Sequence, residues 1–123
     1  MGLSSRHRLK KRSDFQTVYQ HGIRRYSRHL IIRALPIMVS DSLVCPISTK
    51  LGISISRKVS KKAVVRNRIK RQIKSAFRSL LPEISSNWLI VITVKSDARE
   101  CNYEHFLREL KELLIKTDII YGN

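Results

Sequence analysis

RKVSKKAVVRNRIKRQIKSAFR, residues 57–78, is the most informative segment of this chain. It holds ten lysines and arginines and no acid, and its apolar residues recur at steps of three and four. That spacing places them on one side of a helix with 3.6 residues per turn. We therefore predict a helix from about Ser60 to Leu81, stopped by Pro82, whose apolar side faces the core of the protein. The residues of that side are Val65, Ile69, Ile73, Ala76 and Leu80.

The rest of this helix is cationic. At about 100° per residue, Arg66 and Arg68 fall on the two margins of the apolar side. Solvated helices ordinarily carry acids four residues from their lysines and arginines, which relieves like-charge repulsion, and this helix has none. A polyanionic partner therefore explains the stretch better than a solvated face does. The residues opposite the apolar side are Asn67, Lys70, Arg71, Lys74 and Arg78.

The whole chain shows the same imbalance. Its 123 residues, which we expect to form one domain (1–123), carry 25 lysines and arginines against 9 acids, a formal charge of +16. Because the compact state then repels itself unless an anion is bound, nucleic acid is the expected partner. A membrane surface is the alternative, but no segment approaches the roughly 18 apolar residues of a span, and the N-terminus lacks the apolar region of a signal peptide. We expect a cytoplasmic protein with no membrane partner and no obligate protein partner.

The N-terminal residues predict a basic arm followed by a short helix. Residues 1–12 are basic and have little to bury, so we expect a flexible arm that adds phosphate contacts. Ser13 and Gln16 have the spacing of a capping box. Apolar residues then recur at helical spacing up to Gly22, which is expected to end the helix. The helix is predicted over about Asp14–His21.

Three strands are predicted. The β-branched residues from about His29 to Leu35 indicate the first, and a loop over Ile37–Thr49 should connect it to an antiparallel second strand. That second strand, Lys50–Ser56, alternates strictly from Leu51 on, with apolar odd-numbered residues and small even-numbered ones. The continuous apolar run Trp88–Val94 is typical of a strand buried on both faces in the middle of a sheet.

A last helix completes the fold. Asn102 should cap a helix over Tyr103 to about Lys116, which turns its leucines inward and its charged residues, Glu109 among them, outward. Five of the nine acids lie between Asp97 and Glu112, so this end should be the least positive part of the molecule. Residues 118–123 are expected to form a short tail. The order α-β-β-α-β-α predicts a single-domain α+β sandwich around one sheet.

Catalytic chemistry is not apparent in the sequence. Hydrolysis by the protein itself needs clustered carboxylates or metal ligands. The acids are scattered, and the four histidines share no spacing and are expected at the surface or at helix caps. Cys45 and Cys101 lie far apart and are expected to be thiols. We predict no catalytic residue and no metal site.

The sequence contains residues suited to binding a single-stranded nucleic acid. Phe15 and Tyr19 lie one helical turn apart, next to the predicted sheet face of small polar residues. Exposed aromatic rings beside cations hold single strands because unpaired bases stack on them. Core packing is the alternative for both rings, and Tyr19, with its polar hydroxyl, is the better candidate for a binding cleft.

Three blocks together resemble the protein subunit of bacterial ribonuclease P. The first is RLKKxxDFxxVYxxG over residues 8–22, the second is LGISISRK over residues 51–58, and the third is AVVRNRIKR over residues 63–71. Their order and spacing cover nearly the whole chain. One block would be suggestive, whereas three in this order are highly specific.

The resemblance implies a fold with a left-handed β-α-β crossover, where the general rule for parallel strands gives a right-handed one. It implies a noncatalytic subunit of an endoribonuclease that binds the catalytic RNA subunit and assists removal of the 5′ leader from precursor tRNA. Mg²⁺ would serve the RNA subunit. The residues expected to contact RNA are Arg57, Lys58, Lys61, Lys62, Arg66, Asn67, Arg68, Lys70, Arg71 and Lys74. The cleft expected to hold the single-stranded leader contains Phe15, Tyr19, Arg33, Ser54 and Ser56.

Two positions depart from the family pattern. Many members have a glycine in the loop before the third block, where this chain has VSKK over residues 59–62. Some have an aromatic residue where Arg33 stands. These departures bear on how the cleft contacts the leader.

Two other kinds of protein fit the composition. A structural RNA-binding protein of the ribosomal type would also be small and basic, and only the RNR triplet of residues 66–68 beside an aromatic cleft separates it. A DNA-binding regulator is disfavoured because no helix-turn-helix spacing surrounds the basic helix.

Overall fold

The computed structural model of the protein describes residues 7–37, 49–84 and 87–120. Three helices and four strands form an α+β fold, as predicted, with short 3-10 helices at Leu81–Glu83 and Ser96–Glu100. Among the helices in these ranges, none combines the length and the apolar character needed to cross a membrane. The elements in chain order are α1 (Arg12–His21), β1 (Ile23–Tyr26), β2 (Leu30–Pro36), β3 (Lys50–Ile55), α2 (Ala63–Leu80), β4 (Trp88–Val94) and α3 (Tyr103–Lys116).

The sheet has the strand order β1-β2-β4-β3. Strand β4 lies between β2, which is antiparallel to it, and β3, which is parallel to it. The apolar run of β4 is therefore in mid-sheet, as predicted. Because α2 connects the parallel neighbours β3 and β4, the β-α-β unit is present, and its left hand stays a prediction. Strand β1 was not predicted, and it adds one strand to the expected order.

The two faces of the sheet have different coverings. Helices α2 and α3 pack on the inner face, where alternate residues such as Ile32, Ile90 and Ile92 are fully buried. The outer face carries α1, whose Val18 packs with Leu9 and Val91 in a second, smaller cluster. Only part of the outer face is covered in this way.

The ends of α1 differ from the prediction. The helix begins at Arg12, and Lys11 at its N-cap makes no side-chain hydrogen bond, so the capping box of Ser13 and Gln16 is wrong. The carbonyl of Ser13 instead accepts a hydrogen bond from the Thr17 hydroxyl (2.9 Å). Gly22 ends the helix in ordinary extended backbone (φ −73°). Its role is to leave space, because a Cβ there would lie 2.5 Å from the Val18 carbonyl oxygen.

The chain before α1 is not a free arm throughout. Residues 1–6 lie outside the described residues, but residues 7–9 run along the edge of β3. The Leu9 amide donates to the Leu51 carbonyl (2.9 Å), and the Leu9 side chain is only 6% exposed. Unpaired strand edges present free hydrogen-bonding groups, and this segment covers part of one. The flexible arm expected over 1–12 is therefore wrong for residues 7–12.

The other predicted connections also change. Most of the expected loop Ile37–Thr49, residues 38–48 with Cys45, lies outside the described residues. Ile119 and Ile120 are buried in the main core, so the predicted tail 118–123 begins as part of the fold. Helix α2 begins at Ala63 rather than Ser60.

Glu109 on α3 is buried (8% exposed), which contradicts its predicted outward position. Its carboxylate accepts hydrogen bonds from the Ser27 hydroxyl (2.5 Å) and the His29 amide (2.9 Å), and it pairs with the His29 ring (2.6 Å). Burial alone would raise the pKa of Glu109, but these hydrogen bonds and the charge of His29 lower it below the ordinary value of 4.5. The pair fixes the β1–β2 hairpin to α3, a contact that the histidine spacing did not predict.

Candidate nucleic-acid interface

The basic loop, residues 57–62, connects β3 to α2. Its backbone is turned by two serines: the Ser56 hydroxyl accepts from the Lys58 amide, and the Ser60 hydroxyl accepts from the Lys62 amide, both at 3.2 Å. Val59 is buried and anchors the loop from below. The four cations of the loop are therefore all exposed. They are Arg57, Lys58, Lys61 and Lys62.

Arg66 and Arg68 leave the first turns of α2 in different directions. Arg66 is half-buried and donates through Nη1 to the Ser60 carbonyl (2.8 Å), which holds it against the basic loop. Arg68 is exposed and donates through Nη2 to the Arg99 carbonyl (3.1 Å), on the connection to α3. Each guanidinium has five N–H donors, so each keeps several for a ligand. The predicted positions on the two margins of the helix are thus observed.

Arg99 belongs to the same surface and was not predicted. It borders the groove formed by the basic loop, and it also borders the neighbouring groove beside Arg68. No sequence pattern marks Arg99 as part of this surface, because it lies in a short 3-10 helix about 30 residues after Arg68.

Lys70 and Lys74 are placed differently from the helical projection. Asn67 and Arg71 are exposed on α2, as predicted, but both lysines are half-buried. They line a groove whose other walls include Arg8, Phe15 and Gly52. The 100° spacing of a helix predicted the angle of both lysines around α2. It could not show that β3 and the residues before α1 extend to the same side of α2.

Within the part of the chain that the structure describes, the cations of this surface form no ion pair with an acid. In the described ranges the ion pairs are His29–Glu109 and Lys116–Glu112, and neither involves the basic loop or α2. The first turn of α2 contains no acid, and its N-cap makes no side-chain hydrogen bond. A helix N-terminus is itself partly positive, so the positive electrostatic potentials of the basic loop and of the start of α2 reinforce each other. Such a surface favours a polyanion.

The predicted cleft lies on the outer face of the sheet. Phe15 packs directly over Gly52 of β3, so closely that a Cβ at that position would overlap its ring. The ring is half-buried and belongs to the small cluster with Leu9 and Val18. Most of the Phe15 ring is therefore used in core packing, and only its edge borders the groove that Lys70 lines.

Tyr19 is available for binding. It is 44% exposed, and the Arg33 guanidinium lies 4.6 Å from the centre of its ring. Arg33 also donates to the Thr93 hydroxyl (3.1 Å), which fixes the guanidinium over the sheet. Cation–π contact and hydrogen bond together position an aromatic plane and a charge side by side. Arg33 thus places a cation directly beside the ring of Tyr19.

The two serines complete the floor of this cleft. Ser54 pairs with Thr93 in the β3–β4 register and is half-buried. Ser56 is exposed at the end of β3, where its hydroxyl already orders the basic loop. All five predicted cleft residues are thus on or next to one face of the sheet, and the cleft opens toward the basic loop.

One cluster of metal-type ligands is present in the described ranges. It consists of His29, Cys101 and Glu109, whose ligand atoms all lie within 4.8 Å of one another. Burial, followed by the charges of Glu109 and Asp97, raises the pKa of the Cys101 thiol. Mg²⁺ prefers oxygen ligands, and a thiol and an imidazole do not fit it. The Glu109 carboxylate is moreover engaged by its hydrogen bonds, so this cluster does not suit the predicted Mg²⁺.

Comparisons with known proteins agree with this geometry. The Ribonuclease P family model matches residues 3–118. A Ribonuclease P protein component from Microcystis aeruginosa is 54% identical and covers 100% of both chains. One from Rippkaea orientalis is 56% identical over 100% of this chain and 95% of its own. The solved RNase P protein from Staphylococcus aureus superposes with a TM-score of 0.75 at 26% identity, covering 100% of this chain and 98% of that one.

Proposed function

This chain belongs to the ribonuclease P protein family, and on that basis we propose which surface meets which RNA. It is the noncatalytic protein component of the endoribonuclease that removes the 5′ leader from precursor tRNA. The basic loop and α2 bind the catalytic RNA subunit, and the outer-face cleft binds the single-stranded leader. The observation that carries this proposal is the uncompensated cationic surface that adjoins an exposed tyrosine on the open face of the sheet.

The surface for the RNA subunit consists of the basic loop, the exposed side of α2 and Arg99. Arginine forks suit phosphate because they offer two parallel donors in one plane. Arg66 and Arg68 are each held by a hydrogen bond to a carbonyl, and among residues 7–37, 49–84 and 87–120 neither forms an ion pair with an acid. Phosphate contacts of this kind position a folded RNA without reading its sequence.

The cleft suits a single strand rather than a duplex. Tyr19 offers a ring on which an unpaired base can stack, and a base inside a duplex cannot reach it. Arg33, beside the ring, and Lys70 and Lys74, in the neighbouring groove, supply charge for the backbone. The small side chain of Ser54 leaves its part of the floor open, while Gly52 is covered by the ring of Phe15.

Hydrolysis belongs to the complex. We propose that the RNA subunit, with Mg²⁺, performs the cleavage, while the protein neutralises phosphates and holds the leader. No membrane partner and no obligate protein partner are part of the proposal, and the complex is placed in the cytoplasm, where precursor tRNA is processed.

Reconstitution tests this division of roles. Precursor tRNA is incubated with the RNA-free protein, with the RNA subunit and Mg²⁺, and with both. We expect no cleavage by the protein alone and faster cleavage with both components, most clearly at low Mg²⁺, because the protein supplies part of the positive charge. Cleavage by rigorously RNA-free protein would overturn the proposal, as would a protein that leaves the rate of the RNA subunit unchanged at every Mg²⁺ concentration.

A further inference from the structure

A second exposed tyrosine lies between two cations at the far edge of the sheet. Tyr26 of β1 is 49% exposed. The Arg24 guanidinium lies 5.5 Å from the centre of its ring, and the Lys95 ammonium group lies 5.8 Å from it. Lys95 is held there by a hydrogen bond to the Ser27 carbonyl (2.9 Å). The arrangement repeats that of Tyr19 with Arg33.

Both tyrosines face the same side of the sheet. In the β1–β2 register, Arg24 is opposite Arg33 and Tyr26 is opposite Ile31. Directly opposed residues of antiparallel strands point to the same face, so Arg24 and Tyr26 lie on the outer face with Arg33. The row therefore runs from the ring of Tyr19 past two opposed cations, Arg33 and Arg24, to the ring of Tyr26. None of these groups belongs to the predicted cleft except Tyr19 and Arg33.

Edge protection explains only part of this row. Edge strands often carry arginines and lysines, which discourage pairing with another chain, and this accounts for cations on β1. It does not account for a half-exposed aromatic ring between two cations, one of which comes from the end of β4. In the described ranges, neither ion pair includes Arg24, Arg33 or Lys95. A ligand with both negative charge and flat rings fits the row, and a single-stranded nucleic acid has both.

The row has a direction relative to the basic loop. Strand β3 leads into that loop, whereas β1 is the opposite edge of the sheet. Neighbouring strands are about 4.8 Å apart, so the four strands span about 14 Å, a distance that a few nucleotides cover. If the RNA subunit lies at the basic loop, leader nucleotides near the cleavage site pass β3, and nucleotides further upstream reach β1.

We propose that Tyr26, with Arg24 and Lys95, forms a second stacking site for the leader, upstream of the site at Tyr19. The inference rests on the proposed function, because it extends the same cleft. It makes the protein sensitive to leader length: only a leader long enough to cross the sheet occupies both tyrosines.

The test compares precursor tRNAs with a series of leader lengths on the reconstituted complex. Tyr26→Ala should weaken binding of long-leader precursors by about 5- to 150-fold, in line with the loss of one stacked base. Short-leader precursors and mature tRNA should bind as before, and Tyr26→Phe, which keeps the ring, should restore most of the affinity. Ile23→Ala is the matched control, because Ile23 is exposed on the same strand and pairs with inward-facing Ala34.

The outcomes separate the inference from the proposed function. If Tyr19→Ala weakens precursor binding while Tyr26→Ala has no effect at any leader length, the second site does not exist and the proposed function stands. If neither change matters, both are wrong. Cross-linking from photoreactive uridines along the leader of the unsubstituted complex gives a readout that does not depend on the variants' folding. Cross-links from upstream positions to the peptide containing Tyr26 support the site, and cross-links only to the α1 peptide overturn it.

Discussion

Replacing Arg66 and Arg68 together by alanine removes two guanidinium groups from the start of α2. Neither residue contributes its side chain to the buried core, and each makes one hydrogen bond to a backbone carbonyl, at Ser60 and at Arg99. The double variant should therefore fold. We expect it to lose affinity for the RNA subunit.

The structure sets the expected magnitudes. A typical hydrogen bond contributes about 0.5–1.5 kcal/mol to stability, so losing two such bonds costs about 1–3 kcal/mol, with the larger share at half-buried Arg66. Relief of repulsion in a chain of charge +16 offsets part of that cost. Loss of the phosphate contacts should weaken RNA binding by about 1–3 kcal/mol, or roughly 5- to 150-fold. Each lost phosphate contact should also lower the slope of log affinity against log salt by about 0.7–0.9.

The assay is a titration of the labelled RNA subunit at several salt concentrations, beside a thermal melt of each variant. The matched control replaces Arg108 and Lys111, two exposed cations on α3, which lowers the net charge by the same amount. We expect the control to retain most of the affinity. A specific role of Arg66 and Arg68 in phosphate binding would be contradicted if both double variants lost affinity equally, or if the Arg66 and Arg68 variant bound normally at about 0.15 M salt.

Three further changes probe the cleft and the core. Tyr19→Ala should weaken precursor tRNA binding by about 1–3 kcal/mol and leave mature tRNA binding and the melting temperature nearly unchanged, since the ring is 44% exposed; equal losses for both tRNAs would contradict a role in leader binding. Gly52→Ala should destabilise the fold by about 1–3 kcal/mol because the new Cβ would overlap the ring of Phe15. Adding Phe15→Leu to that variant should recover part of the lost stability in a thermal melt. Additive losses of stability from the two substitutions would count against the clash. Glu109→Gln should lower the free energy of unfolding by about 1–3 kcal/mol at pH 7. Because the pKa of Glu109 is lowered in the native state, the difference in unfolding free energy between the parent protein and the variant should be full above the ordinary pKa of 4.5 and should disappear as the pH falls through the native pKa. A difference that does not depend on pH would exclude the charged hydrogen bonds as its cause.

The elements with strong apolar periodicity were predictable from the sequence. The bounds of β4 and α3 and the Asn102 cap agree with the structure, since a run such as Trp88–Val94 has few other ways to bury itself. Strand β1 was not predictable in this way. Its four residues, Ile23 to Tyr26, are all exposed, so no alternation of apolar and polar residues marks the strand.

The parts of the site that depend on distant contacts were missed. Glu109 has the helical angle of an outward residue, and it is buried because His29, 80 residues away, closes over it. Lys70 and Lys74 turn toward the cleft because the segment before α1 lies along β3, which the helix pattern cannot show. Arg99 and Tyr26 join the basic and aromatic surfaces only through tertiary structure. Local patterns thus predicted the elements and the signature, and long-range packing determined how the surfaces extend.

Leader binding by the protein is tested most directly by measuring how the protein changes the affinity of the RNA subunit for two ligands that differ only in the leader. Dissociation constants for precursor and mature tRNA are determined with the RNA subunit alone and with the complex, under Ca²⁺ to prevent cleavage. We predict that the protein tightens binding of the precursor by at least about tenfold, the equivalent of one stacked base with its phosphate contacts, and changes binding of mature tRNA little. Equal tightening of both ligands, or no tightening of the precursor, would contradict the account.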